Sequence, residues 1–235
     1  MAPPWRHTAD QLVADLQTVF GDRLLSVLAY GPAVEDGVDT PLTCLALSRT
    51  IGQVDLDACA RMAGRWNRQG VAIPLILPEA EFRRSLDAFP LEYAEIARAH
   101  HSVYGKNPFD DVQIAQEDLR RACEMQIKSH LVHLREGYVE AGGRPQEIAR
   151  LVSASAPAFG ALLRNVARLA GTEARDRIEA TRAGARAAGL SESAIADVLA
   201  LEQPPTIPVA DPARLFPAYL SAVEQLARAV DTWRT

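Results

Sequence analysis

The chain has 235 residues, enough for one large domain or two ordinary ones, each with its own hydrophobic core. Its hydrophobic content of 48% and charged content of 23% are typical of a soluble globular protein. The formal net charge of −5 argues against binding to nucleic acid or to an anionic membrane through overall charge.

The first third of the chain predicts a small α/β segment. Apolar residues at helical spacing follow Thr8, a good N-cap, and Gly21 ends that helix. Runs rich in Leu and Val predict buried strands, and Pro74 indicates an edge position or a bend in the third of them. The predicted elements are helix 8–20, strand 23–30, loop 31–40, strand 42–48, helix 55–69 and strand 71–77.

Helical patterns dominate the chain after Pro78, and short turns join them. Pro90 marks the first turn of one helix, and a proline-rich linker at 203–209 precedes the last one. The predicted helices are 79–86, 90–104, 116–141, 145–170, 172–188, 191–201 and 212–233. Long helices with short connections favour an up-and-down bundle, so the sequence predicts an α+β protein with domains 1–87 and 88–235.

Several stretches carry a resemblance to a known family. Residues 24–32 read Leu-Leu-Ser-Val-Leu-Ala-Tyr-Gly-Pro, and residues 42–47 read Leu-Thr-Cys-Leu-Ala-Leu after an acidic loop. Residues 89–93, 100–105 and 131–138 read Phe-Pro-Leu-Glu-Tyr, His-His-Ser-Val-Tyr-Gly and Leu-Val-His-Leu-Arg-Glu-Gly-Tyr. Together these stretches resemble the nucleotidyltransferase superfamily, in the bacterial form with a C-terminal helical bundle.

The resemblance implies a small mixed sheet with helices, and it implies where a nucleotide and a metal would bind. In active members of the family, a Gly-Ser pair after the first strand binds nucleotide phosphates. A D-x-D pair on the next strand holds Mg²⁺. Alternate residues of a strand face the same side, so two such carboxylates stand together on the metal ions of a phosphoryl transfer.

This chain departs from that pattern at the residues that catalysis needs. Gly31 is present, but Pro32 replaces the serine and has neither a hydroxyl nor a backbone N–H. The D-x-D pair aligns with Pro41-Leu42-Thr43, and the third strand contains no acid. We therefore expect a degenerate site without catalytic residues. The residues expected at a bound nucleotide are Tyr30, Gly31, Pro32 and Thr43.

The acidic loop leaves an alternative open. Glu35, Asp36 and Asp39 lie just before the second strand, and they would act as displaced Mg²⁺ ligands of an active transferase if the loop folded back. Exposed loop acids are the simpler interpretation. Mg²⁺ is therefore expected as a cofactor only under this alternative. Under the leading hypothesis, the protein acts by binding a nucleotide or a partner protein.

The helical half contains further polar candidates. His130 and His133 are three residues apart on a helix and would face one ligand, but no third metal ligand occurs at helical spacing. Arg164 and Arg168 belong to an arginine-rich stretch, 144–186, which is typical of a solvated helix face with ion pairs. Because no aromatic residues are interleaved as stacking platforms, nucleic acid is not expected as a partner.

No membrane anchor is predicted. The N-terminus lacks the apolar core of a signal peptide, and the uncharged stretch 151–163 is shorter than the roughly 20 residues that span a bilayer. We expect that stretch to be buried in the bundle or at a homodimer interface. Cys44, Cys59 and Cys123 are far apart and form no CxxC pair, so reduced thiols and a cytoplasmic location are expected.

Overall fold

The computed structural model describes residues 3–35, 37, 39–172, 174, 176–191, 193, 196 and 212–233. The chain divides into two compact units, Met1–Ala115 and Gln116–Thr235, which we call the sheet unit and the helical unit. This architecture confirms the α+β class, with a small mixed sheet first and helices after it. The division follows Ala115 rather than residue 87, because a fourth strand returns to the sheet at His100–Gly105.

Among its described residues, the sheet unit contains five α-helices and four strands. Its elements are α1 (Pro4–Phe20), β1 (Leu24–Tyr30), α2 (Pro32–Glu35), β2 (Thr43–Ser48), α3 (Gln53–Arg68), β3 (Leu75–Pro78), α4 (Glu79–Arg84), α5 (Pro90–Arg98) and β4 (His100–Gly105). In α1, the buried residues Leu12, Leu16 and Phe20 recur every four residues, as an amphipathic helix requires. Gly21 follows with a positive φ of 54° and ends the helix.

The sheet has the strand order β3-β2-β1-β4. Strand β1 runs antiparallel to β2 and β4, whereas β2 and β3 are parallel. Strand β3 is at an edge, which confirms the position that Pro74 predicts. It is shorter than predicted because Pro74 has no N–H for the ladder, and only an isolated bridge between Leu42 and Val71 precedes it.

Apolar side chains cover both faces of the sheet, so the central strands consist of nearly continuous apolar runs. Helices α1 and α3 cover one face, where Leu16 and Trp66 pack with Ala29 and Ala46 of the strands. Helices α4 and α5 supply the core of the other face. The buried residues of that second cluster are Leu28, Leu45, Leu47, Phe82, Tyr93 and Ile96.

The predicted helix 90–104 is wrong in its second half. Helix α5 ends at Arg98, and the chain then forms β4, which pairs with β1 from the other end of the sheet unit. Val103 and Tyr104 favour a strand, and the partner that holds them there is about seventy residues earlier in the chain. The predicted loop 31–40 also contains one helical turn, α2.

The helical unit contains α6 (Gln116–Ala141), α7 (Pro145–Leu169), α8 (Arg177–Ala187) and α9 (Pro212–Asp231) among its described residues. Helix α7 packs against α6, α8 and α9, and α9 also packs against α6. Helix α8 begins later than predicted because the Asp176 carboxylate accepts a hydrogen bond from Glu179 N at 2.8 Å and caps it. The predicted helix 191–201 and linker 203–209 lie almost entirely outside the described residues.

Two expectations from the sequence concern burial. The uncharged stretch 151–163 contributes Val152, Phe159 and Leu163 to the buried residues of α7. One face of the stretch is therefore buried within the helical unit, whereas Ser153, Ala154, Pro157 and Ala158 are exposed. All three cysteines are buried free thiols. Within the described ranges, none of the helices has the length and apolar character that crossing a membrane would require.

An ion pair between Arg23, just before β1, and Asp55, in the first turn of α3, joins these two segments. The Asp55 carboxylate accepts hydrogen bonds from Arg23 Nη2 and Nη1 at 2.7 and 2.8 Å, and from Gly52 N at 2.9 Å. These bonds, that of Arg23 above all, lower the pKa of Asp55 to about 2. The stabilisation by this carboxylate is therefore complete above its ordinary pKa of 3.8 and disappears as the pH falls towards 2.

We expect Asp55→Asn to lower the free energy of unfolding at neutral pH, because the charged pair with Arg23 is lost. The difference from the wild type should shrink between pH 4 and pH 2, where Asp55 itself becomes protonated. Urea unfolding at a series of pH values measures this difference. Asp57→Asn, two residues further along α3 at an exposed position, is the matched control. A difference for Asp55→Asn that stays constant from pH 4 to pH 2 would contradict the prediction.

Candidate functional site

The candidate site lies at the corner of the sheet where β1 ends. Tyr30, the last residue of β1, pairs with Thr43 on β2 and with His100 on β4. Directly paired residues point to the same face of a sheet, so the three side chains form a row across three strands. Gly31 is the next residue in the chain after Tyr30. We call Tyr30, Gly31, Thr43 and His100 the β1 corner.

The turn after β1 requires a glycine at position 31. Gly31 has a φ of +82°, a conformation that residues with a side chain rarely adopt. A Cβ atom at this position would also lie only 2.7 Å from Thr43 Oγ1. The Gly31 carbonyl accepts hydrogen bonds from Val34 N at 2.9 Å and Glu35 N at 3.0 Å, which closes the helical turn α2. Pro32 begins that turn and has no N–H to donate.

The positions that align with the D-x-D pair hold no metal ligand of the expected kind. Thr43 Oγ1 donates its proton to Tyr30 O over 2.6 Å, so the hydroxyl supports the turn. Pro41 has no polar side-chain atom, and β3 (Leu75–Pro78) contains no acid. Mg²⁺ prefers several carboxylate oxygens in near-octahedral geometry. The residues at these positions therefore do not fit a Mg²⁺ site.

The acids of the neighbouring loop do not converge where the structure describes them. The Glu35 carboxylate pairs with the Arg98 guanidinium at the end of α5, and its side chain is 19% exposed. Asp39 is exposed, and Asp36 lies outside the described residues. Across the ranges that the structure describes, no group of three or more His, Cys, Asp or Glu side chains is placed to hold a metal ion.

The environment of Tyr30 keeps its phenol protonated. Burial is the main cause that raises the pKa of Tyr30, and its neighbours Cys44 and Glu95 make smaller contributions in the same direction. Burial also raises the pKa of Cys44 to about 12, so this thiol stays neutral. The β1 corner therefore offers a phenol hydroxyl as a donor and no reactive thiolate.

His100 has a defined proton position. Its Nδ1 atom lies 2.8 Å from Ile96 O, and a carbonyl oxygen only accepts hydrogen bonds. Nδ1 therefore carries a proton and donates it to Ile96 O, which fixes the orientation of the ring. The ring also contacts Phe109, with 5.6 Å between the ring centroids.

The sequence does not predict that three further polar residues lie near this corner. Glu95, Arg98 and His100 belong to a stretch that the sequence assigns to a single helix. Only the pairing of His100 with Tyr30 shows that this stretch ends beside β1. The available signal was the pair of β-forming residues Val103 and Tyr104 before Gly105, which favours a short strand over a helix.

The two histidines of α6 do not share a ligand. His130 is partly buried beside Phe159, and its Nε2 atom lies 3.4 Å from the Tyr219 hydroxyl. Burial lowers the pKa of His130, which favours the neutral ring. His133 instead pairs with Glu136 at 2.9 Å and is 75% exposed. The structure thus places one ring inside the helical unit and the other on its surface.

The expectation of a solvated basic face agrees with the exposure of Arg144, Arg150, Arg177, Arg182 and Arg186, but it is wrong for Arg164. Arg164 is only 9% exposed and donates to Thr181 Oγ1 on α8 at 3.1 Å. Arg168 donates to Asn165 Oδ1 at 2.6 Å and is partly buried. Helix α8 covers this side of α7 because Gly184 permits a close approach of the two backbones.

Comparison with known proteins identifies the fold. No family model matches the chain, and no curated protein matches its sequence. The solved structure of the spectinomycin adenyltransferase AAD(9) from Enterococcus faecialis, with ATP and spectinomycin, is similar, with a TM-score of 0.59 at 11% sequence identity. The match covers 94% of this chain and 98% of that chain. The similarity confirms the predicted nucleotidyltransferase-like fold with a helical C-terminal region.

Proposed function

We propose that this protein has a nucleotidyltransferase-like fold with a degenerate catalytic site. It binds a nucleotide but does not transfer it. The observation that carries the proposal is the presence of Pro41 and Thr43 where the family has its two metal-binding carboxylates. The Thr43 hydroxyl is already bonded to Tyr30 O. Without carboxylates at these positions, the strands cannot bind the Mg²⁺ that would compensate the negative charge of a transferred phosphoryl group.

Several features of the β1 corner suit a nucleotide. Gly31 is buried, and its positive φ lets the chain turn sharply beside the side-chain row of Tyr30 and His100. The protonated Tyr30 phenol is a hydrogen-bond donor, and the hydrogen bond of His100 Nδ1 to Ile96 O holds the His100 ring in one orientation beside it. The similar structure of AAD(9) was solved with ATP, which supports a nucleoside triphosphate as the ligand.

Binding should not depend on Mg²⁺, and this is the test of the proposal. We expect calorimetric titration with ATP, GTP or CTP to detect binding of at least one nucleotide in EDTA. Addition of Mg²⁺ should leave the affinity unchanged or weaken it, because the described residues of the corner supply no carboxylate pair for the metal. Pyrophosphate should not be released. Binding that requires Mg²⁺, or release of pyrophosphate, would overturn the proposal.

A pair of glycine variants checks that the β1 corner is the binding site. Gly31→Ala places a methyl group 2.7 Å from Thr43 Oγ1 in a backbone conformation that disfavours alanine, so it should reduce nucleotide binding at least about tenfold. Gly64→Ala is the control, because its Cβ would meet only Arg68 Nη1 at 3.6 Å, on α3. Equal affinity for both variants would place the binding site elsewhere.

The alternative function is an active Mg²⁺-dependent transferase that uses Glu35, Asp36 and Asp39. The closeness of these acids to Gly31 in the chain favours it, whereas the pairing of Glu35 with Arg98 counts against it. If the alternative is correct, Asp39→Ala should abolish Mg²⁺-dependent turnover. Unchanged turnover in that variant would exclude Asp39 as a metal ligand.

Partner binding through the helical unit is a second candidate, with a second copy of the chain as the partner. Met125, Val132 and Val139 recur every seven residues along α6 and are 68%, 50% and 77% exposed. Such a stripe is the geometry by which two helices pack together. Sedimentation velocity at micromolar concentration should then show a dimer. A monomer alone would contradict this role.

A further inference from the structure

The ion pair between Glu35 and Arg98 joins two segments that are distant in the chain. Glu35 is the last residue of α2, the turn that Gly31 begins, and Arg98 is the last residue of α5. The Arg98 side chain remains 46% exposed, so its guanidinium is accessible from solvent. The Glu35 side chain is more enclosed, at 19% exposure.

This pair lies at the β1 corner. Helix α2 packs against β1 and β4, and Arg98 precedes His100 of β4 by two residues. His100 in turn pairs directly with Tyr30, which precedes Gly31. The chain therefore brings a guanidinium group to the same corner at which the proposed nucleotide would bind.

A nucleotide at this corner needs a cation. The carboxylates that would hold Mg²⁺ are replaced by Pro41 and Thr43, and Pro32 has no N–H for a phosphate oxygen. A triphosphate carries several negative charges that must be compensated when it leaves water. Arginine suits this role, because its planar fork forms paired hydrogen bonds with carboxylate and phosphate alike.

We infer that Arg98 is the phosphate ligand of the β1 corner, and that the Glu35 carboxylate occupies its guanidinium when no ligand is bound. This inference rests on the proposed function, whose site it deepens. Glu35 then acts as an internal competitor: a polyphosphate must displace its carboxylate from Arg98. The exchange is feasible because a solvent-accessible ion pair stabilises a fold only weakly.

The test compares inorganic tripolyphosphate and ATP as ligands in EDTA, measured by calorimetry. Glu35→Gln should bind both ligands about three- to fivefold more tightly than the wild type, because the competing charge is removed. Arg98→Gln should bind both at least about tenfold more weakly, as expected for a lost hydrogen bond to a charged group. The affinity of Arg98→Lys for both ligands should lie between those of the wild type and Arg98→Gln, because lysine keeps the charge but loses the planar fork.

Arg83→Gln is the matched control. Arg83 has a similar exposure of 39% and also pairs with acids, Glu79 and Asp111. Helix α4, which carries it, begins beside Ser48, at the opposite end of β2 from Thr43. Its replacement should leave both affinities unchanged. A loss of affinity equal to that of Arg98→Gln would show a general effect of surface charge and would overturn the inference.

The two ligands separate failure of the inference from failure of the proposed function. If ATP binds the wild type, but Glu35→Gln and Arg98→Gln bind it equally well, the inference is wrong and the proposed function stands. If tripolyphosphate follows the expected order and ATP does not bind, Arg98 is a polyphosphate ligand and the nucleotide function is wrong. If neither ligand binds any variant, both are wrong.

Folding of the variants does not decide the outcome. The gain in affinity of Glu35→Gln cannot arise from unfolding, so this variant tests the inference even if Arg98→Gln is unstable. A thermal melt of each variant without ligand shows whether the sheet unit is intact. Unchanged or weaker binding by a folded Glu35→Gln protein would contradict internal competition.

Discussion

Gly105→Ala is expected to lower the free energy of unfolding of the sheet unit by about 3 kcal/mol or more, from left-handed strain and overpacking together. Gly105 ends β4 with a φ of +72°, and a Cβ atom there would overlap the carbonyl of Leu25. Its next neighbours would be Leu25 C at 2.9 Å and Ser26 Cα at 3.2 Å. All three atoms belong to the backbone of β1, so no side chain can move aside.

Gly70→Ala is the control that separates the two causes. Gly70 has a similar φ of +76°, but a Cβ atom at this position would meet nothing within 4 Å. Gly70→Ala should therefore lower the free energy of unfolding only by the strain of the left-handed conformation, about 1 to 2 kcal/mol. Urea unfolding followed by tryptophan fluorescence measures both variants, since Trp66 is buried in the sheet unit. Equal losses of stability would show that the contact between β4 and β1 is looser than described.

Gly184→Ala should have a comparable effect on the helical unit, with a loss of about 3 kcal/mol or more. Gly184 lies in α8, where a Cβ atom would overlap the carbonyl oxygen of Leu163 on α7. Leu163 C and Ala167 N would lie at 2.6 and 3.1 Å from the same atom. The two helices would have to separate, which would also break the hydrogen bond between Arg164 and Thr181.

Hydrogen exchange measures this effect locally. Amide protons of α7 and α8 in Gly184→Ala should exchange faster than in the wild type, whereas those of α3 should not. Gly64→Ala is the matched control, because it changes a helical glycine with ordinary space around it and should stabilise α3 by about 0.5 to 1 kcal/mol. Unaltered protection of α7 and α8 in Gly184→Ala would contradict the close approach of these helices.

The elements that the sequence predicts well are those with a strong local pattern. Helices α6 and α7 match their predicted bounds within a residue or two, because a long apolar stripe and the glycines between them are visible in the chain itself. Strands β1 and β2 are also predicted within a residue, because they are covered on both faces and contain nearly continuous apolar residues.

The elements that the sequence misses depend on distant partners. Residues 100–105 follow a helix and continue a helical pattern, yet their hydrogen bonds go to β1. The burial of Arg164 likewise depends on α8, whose Gly184 allows the close contact. In both cases an interaction across the fold outweighs the local preference, which a single sequence does not reveal.

By itself, the sequence determined the α+β class, the glycine turn after β1 and the absence of acids at the two positions aligned with D-x-D. These properties depend on residue identities and on the spacing of apolar residues. Only the tertiary structure decided that the Thr43 hydroxyl bonds to Tyr30, that Glu35 pairs with Arg98 and that His100 completes the row. Each of these contacts joins separate elements, and the packing of the sheet sets their distances.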